Sequence, residues 1–494
     1  MAALSYKRIA ADSLVALVAK VLSVACVYLT HVALARFYGP ELFGTFFIAF
    51  NLVLTLSFLT RLGMDNGLLR FAAVLKSERQ VGGLPRLLWP AVGTALLLSG
   101  LAGLGVYVSR AWLAGYFNAP QLPLLLFFFV LAMPLHSLNF LFQETIRGLG
   151  MVRWAIIGQY LVIPGSLLVL LVGGSYLVQG TVSQGQALGL AFLLSCLLGL
   201  IFLGGRALWA TRRQAGGDSG TRFQELWRYS WPLCLNAVLG LALTTWDVLI
   251  LGLFTSPAEV AFYGAAAKTA VLITFPLLAI NGVVPPLFGQ FYQRHDLASL
   301  EQVAQTTARW MYYITLPLTL LVILLAPQIL AIFGPQFAAA RLALSILAVA
   351  QLVNVAAGSV AFVLIMTAHQ HTLLRLQLLV AGGTVPMMLG GAAFWGMNGL
   401  AVATALGVAG LNILMAWAVW RHLHIKTFVA GGGWVTASGL LATLFFLAAN
   451  LLVGLVPATM IFLGSYLLLI SKALFQEVKG IVTQPLWLRR EISS

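Results

Sequence analysis

Long apolar segments without charge dominate the pattern of hydrophobic and polar positions in this chain. Residues 154–205, 376–420 and 427–471 contain no Asp, Glu, Lys or Arg. A helix crosses the bilayer in about 20 residues, so each of these segments is long enough to cross it twice. We therefore expect each segment to fold back as a helical hairpin. The expected turns are Gly-Gly-Ser at 173–175, Trp-Gly-Met-Asn-Gly at 395–399 and Gly-Leu-Val-Pro at 454–457.

Across the whole chain, the same pattern predicts an all-α integral membrane protein with about fourteen transmembrane helices. Six of the predicted helices contain an interior proline, which we interpret as a kink because neighbouring helices satisfy the freed backbone groups inside a membrane. The predicted spans are 11–34, 42–62, 86–108, 122–143, 151–173, 186–207, 229–252, 258–282, 308–332, 342–366, 373–394, 398–420, 428–449 and 455–472.

Two parts of the chain resemble each other and predict an internal repeat. The segment 40–49 after the first span is similar to the segment 257–266 after the seventh, at an offset of 217 residues. Six helices per repeat would give two lobes of the same orientation, related by a pseudo-twofold axis along the membrane normal. The predicted divisions are a first lobe at 1–209, a cytoplasmic linker at 210–225, a second six-helix lobe at 226–424, and two extra helices with a tail at 425–494.

Charged residues are rare and unevenly placed. They make up 8% of the chain, against about 25% in soluble domains, so we expect lipid to be the solvent of most of its surface. With the N-terminus in the cytoplasm, twenty-three of the 28 Lys and Arg residues fall on the cytoplasmic side, as the positive-inside rule requires. We therefore expect both termini to be cytoplasmic. Because the net charge of +15 follows from this rule, we expect no nucleic-acid partner.

The loops lack the groups that a membrane enzyme would need. Glu41 and Glu259 are the only acidic residues in the predicted external loops, too few for a metal-dependent or acid–base active site. The chain has no Gly-x4-Gly-Lys sequence for binding ATP, and its His and Cys residues lack metal-site spacing. A glycosyltransferase or polymerase is therefore disfavoured, no cofactor is expected, and transport without covalent chemistry is favoured.

Ionisable residues inside the predicted spans are the candidates for a substrate site, because keeping them in a membrane is costly. Lys20 lies in the first span, Asp247 in the seventh and Lys268 near the middle of the eighth. Asn51 occupies the position equivalent to Lys268 at the repeat offset. We expect these residues to line a central cavity. Two other interpretations stay open: Asp247 and Lys268 neutralise each other, and Lys20 extends to the cytoplasmic headgroups.

A second group of charged residues lies at the predicted cytoplasmic ends of the helices. Arg61, Asp65 and Arg70 surround the end of the second span, and Glu144 and Arg147 follow the fourth. They are candidates for an entrance that guides an anionic headgroup. The alternatives are membrane anchoring by the arginines and a local salt bridge between Glu144 and Arg147, which are three residues apart on a helix. We expect core or interfacial packing roles for four scattered histidines, His31, His136, His369 and His371.

Two local sequences resemble the bacterial polysaccharide-export and O-antigen repeat-unit flippases. In that family the first helix ends in Ala-Arg-x-x-Gly-Pro-x-x-Phe-Gly, and the second ends in Leu-Gly before an Arg-containing amphipathic piece. The segment 142–160 is similar to the family's turn between helices four and five. The predicted six-plus-six-plus-two topology extends the resemblance over the whole chain. The matching positions are Ala35, Arg36, Gly39, Pro40, Phe43, Gly44, Leu62, Gly63 and Arg70.

This resemblance places the chain in the multidrug/oligosaccharidyl-lipid/polysaccharide exporter superfamily and implies a function. We expect a multi-pass protein of the bacterial inner membrane that moves a polyprenyl-diphosphate-linked oligosaccharide outward, near a polymerase and glycosyltransferases. H+ or Na+ would be a coupling cation. Cation-coupled multidrug exporters often have an acidic residue within helix 1, where this chain has Lys20, with Asp12 only at the start. Lipid II flippases line their cavity with several arginines, where this chain has lysine and asparagine. Both siblings remain alternatives.

Overall fold

The computed structural model describes residues 2–177, 183–213, 217, 222–282, 284–427 and 432–483. This part of the chain is almost entirely helical and contains no β-strand. The helices are α1 (Ala2–Ala33), α2 (Gly39–Thr60), α3 (Met64–Ser77), α4 (Leu84–Tyr116), α5 (Leu122–Gly148), α6 (Val152–Ile157), α7 (Ile163–Leu177), α8 (Gln184–Arg213), α9 (Phe223–Thr244), α10 (Trp246–Phe254), α11 (Pro257–Val271), α12 (Phe275–Ile280), α13 (Pro285–Gln293), α14 (Leu297–Leu324), α15 (Ala326–Ala331), α16 (Arg341–Ala356), α17 (Val360–Met366), α18 (Gln370–Leu423), α19 (Gly432–Val453) and α20 (Leu455–Thr483).

The helices confirm the predicted all-α membrane class. Among the described residues, ten helical stretches are long and apolar enough to cross a membrane. Val18–Thr60 overlaps the first two predicted spans, and Gln370–Leu423 contains the predicted spans 373–394 and 398–420. The predicted span 229–252 lies on α9 and α10, which are interrupted at Thr245, and the last span lies on the shorter apolar helix Leu455–Ser471. The number fourteen stays a prediction.

Two of the three expected hairpin turns are present. In α18, Gly396 has φ 56° and ψ −137°, and the backbones of Gly391 and Gly399 are so close that neither position has room for a Cβ atom. The turn between α19 and α20 is at Gly454, with φ 85°. The prediction of a turn at 173–175 is wrong, because α7 stays helical to Leu177. A helix in lipid satisfies its backbone groups internally, which favours the continuation of α7 through Gly173 and Gly174.

The chain packs as two compact units. The first contains 1–269, 327–347 and 374–411, and the second contains 270–326, 348–373 and 412–494. In the first unit, α5 packs against α4 and α8, with Leu141 and Leu203 fully buried between helices. All the candidate site residues belong to this unit.

In the second unit, the α19–α20 hairpin packs on α14, and the Tyr466 hydroxyl donates a hydrogen bond to the Tyr313 carbonyl (2.8 Å). The predicted two-lobe division and repeat axis stay predictions. Seven of the 16 residues of the predicted linker at 210–225, namely 214–216 and 218–221, lie outside the described residues.

Candidate functional site

Helices α2 and α11, which carry the predicted second and eighth spans, are in direct contact. A Cβ atom at Gly264 of α11 would lie 2.7 Å from the Phe47 ring of α2, and one at Gly44 would overlap the Pro257 backbone. Glycine at these two positions lets the helices approach closely. The close packing brings the side chain of the midspan lysine on α11 next to α2.

Lys268 presents its amine to this contact. Its Nζ lies 5.7 Å from the centre of the Phe47 ring, within the range of a cation–π interaction. The Lys268 residue is exposed at the surface that the described residues form. Within the described part of the chain, Lys268 forms no ion pair with Asp247, although the two charges are close enough to influence each other. Its positive charge is therefore not neutralised by direct contact.

Asp247 is held by hydrogen bonds from other groups. Its Oδ1 accepts from the backbone N–H of Val248 (2.8 Å), and its Oδ2 accepts from the Tyr263 hydroxyl (3.0 Å). The same hydroxyl lies 3.3 Å from Oγ1 of Thr404 on α18. The network connects α10, α11 and α18. Two donors, rather than the amine of Lys268, therefore satisfy this carboxylate.

The other two cavity candidates differ in their distance from Lys268. Asn51 is buried one turn after Phe47, and its Nδ2 donates to the Phe47 carbonyl (2.8 Å). Lys20 is half-buried on α1, about three turns before His31 along the same helix. The structure thus brings Lys268, Asp247 and the Phe47–Asn51 turn together and leaves Lys20 farther along α1.

Two aromatic residues of α1 also lie beside this group, and the sequence did not assign them to the site. His31 is buried against the rings of Phe43 (5.7 Å) and Phe47 (5.1 Å between centroids). No described residue forms a hydrogen bond with its Nδ1. The Tyr28 hydroxyl lies 3.5 Å from Oγ1 of Thr269, the neighbour of Lys268. The sequence feature that could have indicated them is the spacing of three residues between Tyr28 and His31, which puts both side chains on one face of α1.

Arg61, an entrance candidate, is enclosed by protein. Its side chain is 2% exposed, its Nη1 lies 3.7 Å from Oδ2 of Asp65, and its guanidinium lies 4.0 Å from the centre of the Phe140 ring. Its Nε and Nη1 have no hydrogen-bond acceptor among the described residues. Arg61 therefore faces other side chains, and an entrance role for it stays a prediction.

Glu144 and Arg147 form the salt bridge that their spacing suggested. Arg147 Nη1 lies 3.2 Å from Oε2 of Glu144, and the Glu144 carboxylate also accepts from Gln143 (2.9 Å). The Arg147 side chain remains 50% exposed. Its charge is partly neutralised, while part of its guanidinium faces the surface.

Arg70 and Arg147 line one open pocket. The pocket has a volume of about 410 Å³. The guanidinium of Arg70 lies 4.3 Å from the centre of the Tyr229 ring, a contact that no local pattern in the sequence indicates. The lining residues are Asn66, Leu69, Arg70, Ala73, Arg147, Gly148 and Tyr229.

The other histidines have local roles. His136 is buried with its Nδ1 2.8 Å from the Ser57 hydroxyl. The ring of His369 lies 4.7 Å from that of His422, and partial burial together with this neighbour lowers the pKa of His369. His371 is exposed. Among the described residues, no group of three or more His, Cys, Asp or Glu side chains has the arrangement of a metal site.

Comparison with known proteins gives matches to two family models and to a named flippase. A family model described as "Polysaccharide biosynthesis protein" matches residues 9–292, more than half of the chain, and one described as MatE matches residues 232–372. Over 301 residues the chain is 23% identical to the probable low-salt glycan biosynthesis flippase Agl15 of Haloferax volcanii. That match covers 60% of this chain and 62% of the flippase, less than two thirds of its length.

Two solved structures share the fold. The lipid II flippase MurJ in an inward closed conformation has a TM-score of 0.69 at 12% identity, covering 93% of this chain and 98% of that chain. An inward-facing multidrug resistance MATE family transporter of the MOP superfamily has a TM-score of 0.65 at 16% identity, covering 81% of this chain and 94% of that chain. At these identities the likeness concerns the fold alone.

Proposed function

Because the chain belongs to the polysaccharide biosynthesis protein family, we propose that it is a flippase for a polyprenyl-diphosphate-linked oligosaccharide repeat unit. It would carry this substrate from the cytoplasmic to the outer leaflet of the bacterial inner membrane. The Haloferax relative is named a glycan flippase, and the MurJ structure, which shares the fold, is named a lipid II flippase. Both names support lipid-linked glycans as the substrate class.

The observation that carries the proposal is the position of Lys268, an exposed residue whose amine lies beside the Phe47 ring. A diphosphate brings about two negative charges, which are prohibitively unstable in hydrocarbon without a counter-charge. A lysine at midspan is equally costly unless it serves such a group. In this mechanism, Lys268 stabilises the diphosphate in a cavity between the lobes while the polyprenyl tail stays in the bilayer. Alternating access of the two lobes then moves the headgroup, and no covalent bond changes.

Asp247 is the candidate for binding a coupling cation, H+ or Na+. The Tyr263 hydroxyl and the Val248 N–H already satisfy its two oxygens, so the carboxylate is held in a fixed orientation. Glycosyltransferases would supply the lipid-linked substrate on the cytoplasmic side, and a polymerase would consume it outside. These partners follow from the chemistry of substrate and product.

The test compares transport by two Lys268 variants in proteoliposomes. Lys268→Met removes the charge and keeps the length, and we expect transport of a polyprenyl-diphosphate oligosaccharide to fall at least tenfold. Lys268→Arg keeps the charge and should retain most of the rate. Lys426→Met removes an exposed charge outside the predicted spans and is the matched control. Size-exclusion profiles establish that each variant folds; wild-type transport by a folded Lys268→Met protein would overturn the proposal.

A cation-coupled exporter of amphipathic small molecules is the second candidate, favoured by the buried hydrogen bonds around Asp247. The two candidates separate in a deletion strain. Accumulation of lipid-linked glycan on the cytoplasmic leaflet supports the flippase. Increased drug sensitivity with normal glycan export, restored by the wild-type chain and not by Asp247→Asn, supports the exporter.

A further inference from the structure

We propose that the pocket lined by Arg70, Arg147, Asn66 and Tyr229 is a binding site for a phosphate or diphosphate group, separate from Lys268. This inference rests on the proposed function for the source of the group, which would be the lipid-linked headgroup at the predicted cytoplasmic face. The site would capture the headgroup before it enters the cavity. Below, the arginine pocket means the seven lining residues given above.

Close helix contacts fix the walls of the arginine pocket. At the end of α5, a Cβ atom on Gly148 would overlap the Leu69 carbonyl of α3. On the other side of α3, a Cβ atom on Gly67 would overlap the Ser230 hydroxyl of α9. Because both neighbours of α3 pack this tightly, the residues that α3, α5 and α9 contribute keep fixed relative positions.

Stacking on the Tyr229 ring orients the planar guanidinium of Arg70 and leaves the N–H groups at its edges available for hydrogen bonds. The guanidinium lies over the Tyr229 ring at 4.3 Å, and the Phe71 ring packs edge-on against the same tyrosine, with 6.0 Å between centroids. No acceptor among the described residues forms a hydrogen bond with Arg70. An arginine oriented by stacking, with its N–H groups unused, is suited to bidentate binding of phosphate oxygens.

Arg147 adds a second guanidinium to the pocket, and some of its N–H donors are not used by the described residues. Its Nη1 bonds to Glu144, so in the described part of the chain its Nε and Nη2 are not engaged. The nearby acids are already paired, Glu144 with Arg147 and Asp65 with Arg61. Lys76 donates to the Leu149 carbonyl at the end of α5 (2.6 Å) and adds a further positive charge. The region therefore keeps a net positive charge, and no acidic residue lines the pocket itself.

The size and opening of the pocket fit a headgroup rather than a whole substrate. Its volume of about 410 Å³ lies near the lower end of the range for small-ligand sites, roughly 300–1,000 Å³. Asn66 and Arg70 are exposed at its surface, so a charged group can reach it from water. Leu69 and Ala73 give it an apolar wall. These dimensions accommodate a diphosphate with part of its attached sugar or isoprenoid.

The first test measures binding of pyrophosphate to the purified full-length protein in nanodiscs of uncharged lipid, by calorimetry. We expect saturable binding that Arg70→Gln and Arg147→Gln each weaken at least fivefold, and that Tyr229→Leu also weakens because it releases Arg70. Arg228→Gln is the matched control, since it removes a charge from the exposed neighbour of Tyr229 that does not line the pocket. Its effect should stay below twofold. Equal weakening by Arg228→Gln and Arg70→Gln would overturn the proposal, because general surface charge would then explain binding.

The second test separates a lipid headgroup from a soluble phosphate compound. In proteoliposomes we expect Arg70→Gln to raise the KM for a polyprenyl-diphosphate oligosaccharide at least fivefold with kcat within twofold of wild type. An unchanged KM beside weakened pyrophosphate binding would overturn the headgroup as the ligand. Pyrophosphate binding that depends on Arg70 in a protein without flippase activity would contradict the proposed function and leave the site intact. Flippase activity that depends on Lys268 and is unchanged in Arg70→Gln would support the proposed function and contradict the arginine pocket as a headgroup site.

Discussion

At the scale of single residues, the hydrogen bond between Tyr263 and Asp247 is the clearest determinant of the site's geometry. The Tyr263 side chain is fully buried, and its hydroxyl donates to Oδ2 of Asp247 at 3.0 Å. Hydrogen bonds to charged groups contribute about 1.5–3 kcal/mol, roughly twice the value for neutral pairs.

Tyr263→Phe should therefore reduce the free energy of unfolding by about 1.5–3 kcal/mol, measured by SDS-induced unfolding in mixed micelles. The ring and its packing are kept, so the lost O–H group accounts for the change. Tyr312→Phe is the matched control, because the Tyr312 hydroxyl bonds to a neutral partner, Thr436, and should cost about 0.5–1.5 kcal/mol. Equal costs for the two substitutions would contradict a special role for the Asp247 bond. A double-mutant cycle with Asp247→Asn isolates the pairwise energy.

Sequence reasoning identified the charges at this site but not what holds them. Asp247 and Lys268 are conspicuous because ionisable groups are rare in apolar spans. Their partners carry no such signal: Phe47, Tyr263 and Thr404 are ordinary residues for a membrane helix, and Thr404 is distant in sequence from Asp247. Only packing reveals that Tyr263 satisfies Asp247 and that the amine of Lys268 faces an aromatic ring.

At the scale of helices, Arg36 connects the end of α1 to α15. A π-helical segment, Leu34–Tyr38, follows α1 and carries Arg36, whose Nε and Nη2 donate to the carbonyls of Ile332 and Ala331 at 2.8 Å each. A cation at the C-terminal carbonyls of a helix is favourable because it complements the helix dipole. The two bonds also explain why this basic residue lies at a predicted external end, against the positive-inside pattern.

Arg36→Gln should loosen this connection. Losing charge-assisted hydrogen bonds worth about 1.5–3 kcal/mol should speed hydrogen exchange in the turn after α15, where the N–H groups of Phe333 and Gly334 bond to Leu330 and Ala331, by roughly 10- to 150-fold. Arg110→Gln is the control, since the Arg110 guanidinium lies over the Tyr107 ring (4.0 Å) and has no described contact with α15. Unchanged exchange at the end of α15 in the Arg36 variant would show that packing alone holds the helix.

Hairpin turns show where local sequence succeeds and where it fails. Gly396 and Gly454 adopt positive φ values that other residues disfavour, so these two glycines do mark turns. Gly173 and Gly174 are adjacent glycines and yet lie inside α7. Whether a glycine ends a helix depends on whether the next turn lies in lipid, where open backbone groups are too costly. Sequence alone does not fix that depth to within a few residues.

At the scale of the whole molecule, apolar patterning predicted the membrane class and located most of the helices. Uncharged segments of this length have no other stable arrangement than helices in lipid. The arginine pocket was less accessible to sequence reasoning. Arg70 and Arg147 were both candidates, but their convergence depends on how α5 and α9 pack on α3, and Tyr229 gave no local sign of its contact with Arg70.

The charge of the proposed substrate makes a prediction about energy supply. Each negative charge that moves outward through an inside-negative potential gains about 2.3 kcal/mol per 100 mV, roughly a 50-fold bias between leaflets. In proteoliposomes with a potassium diffusion potential, flipping of a polyprenyl-diphosphate oligosaccharide should therefore accelerate as the interior becomes negative. A cation that enters in exchange, as proposed for Asp247, moves positive charge inward and should steepen the dependence. Asp247→Asn would then keep the response to potential with a shallower slope.

An uncharged labelled lipid in the same vesicles is the control, and its rate should not change. If the flipping rate does not depend on the membrane potential, cations must cross in the same direction as the substrate and neutralise its charge. That result would contradict cation exchange at Asp247.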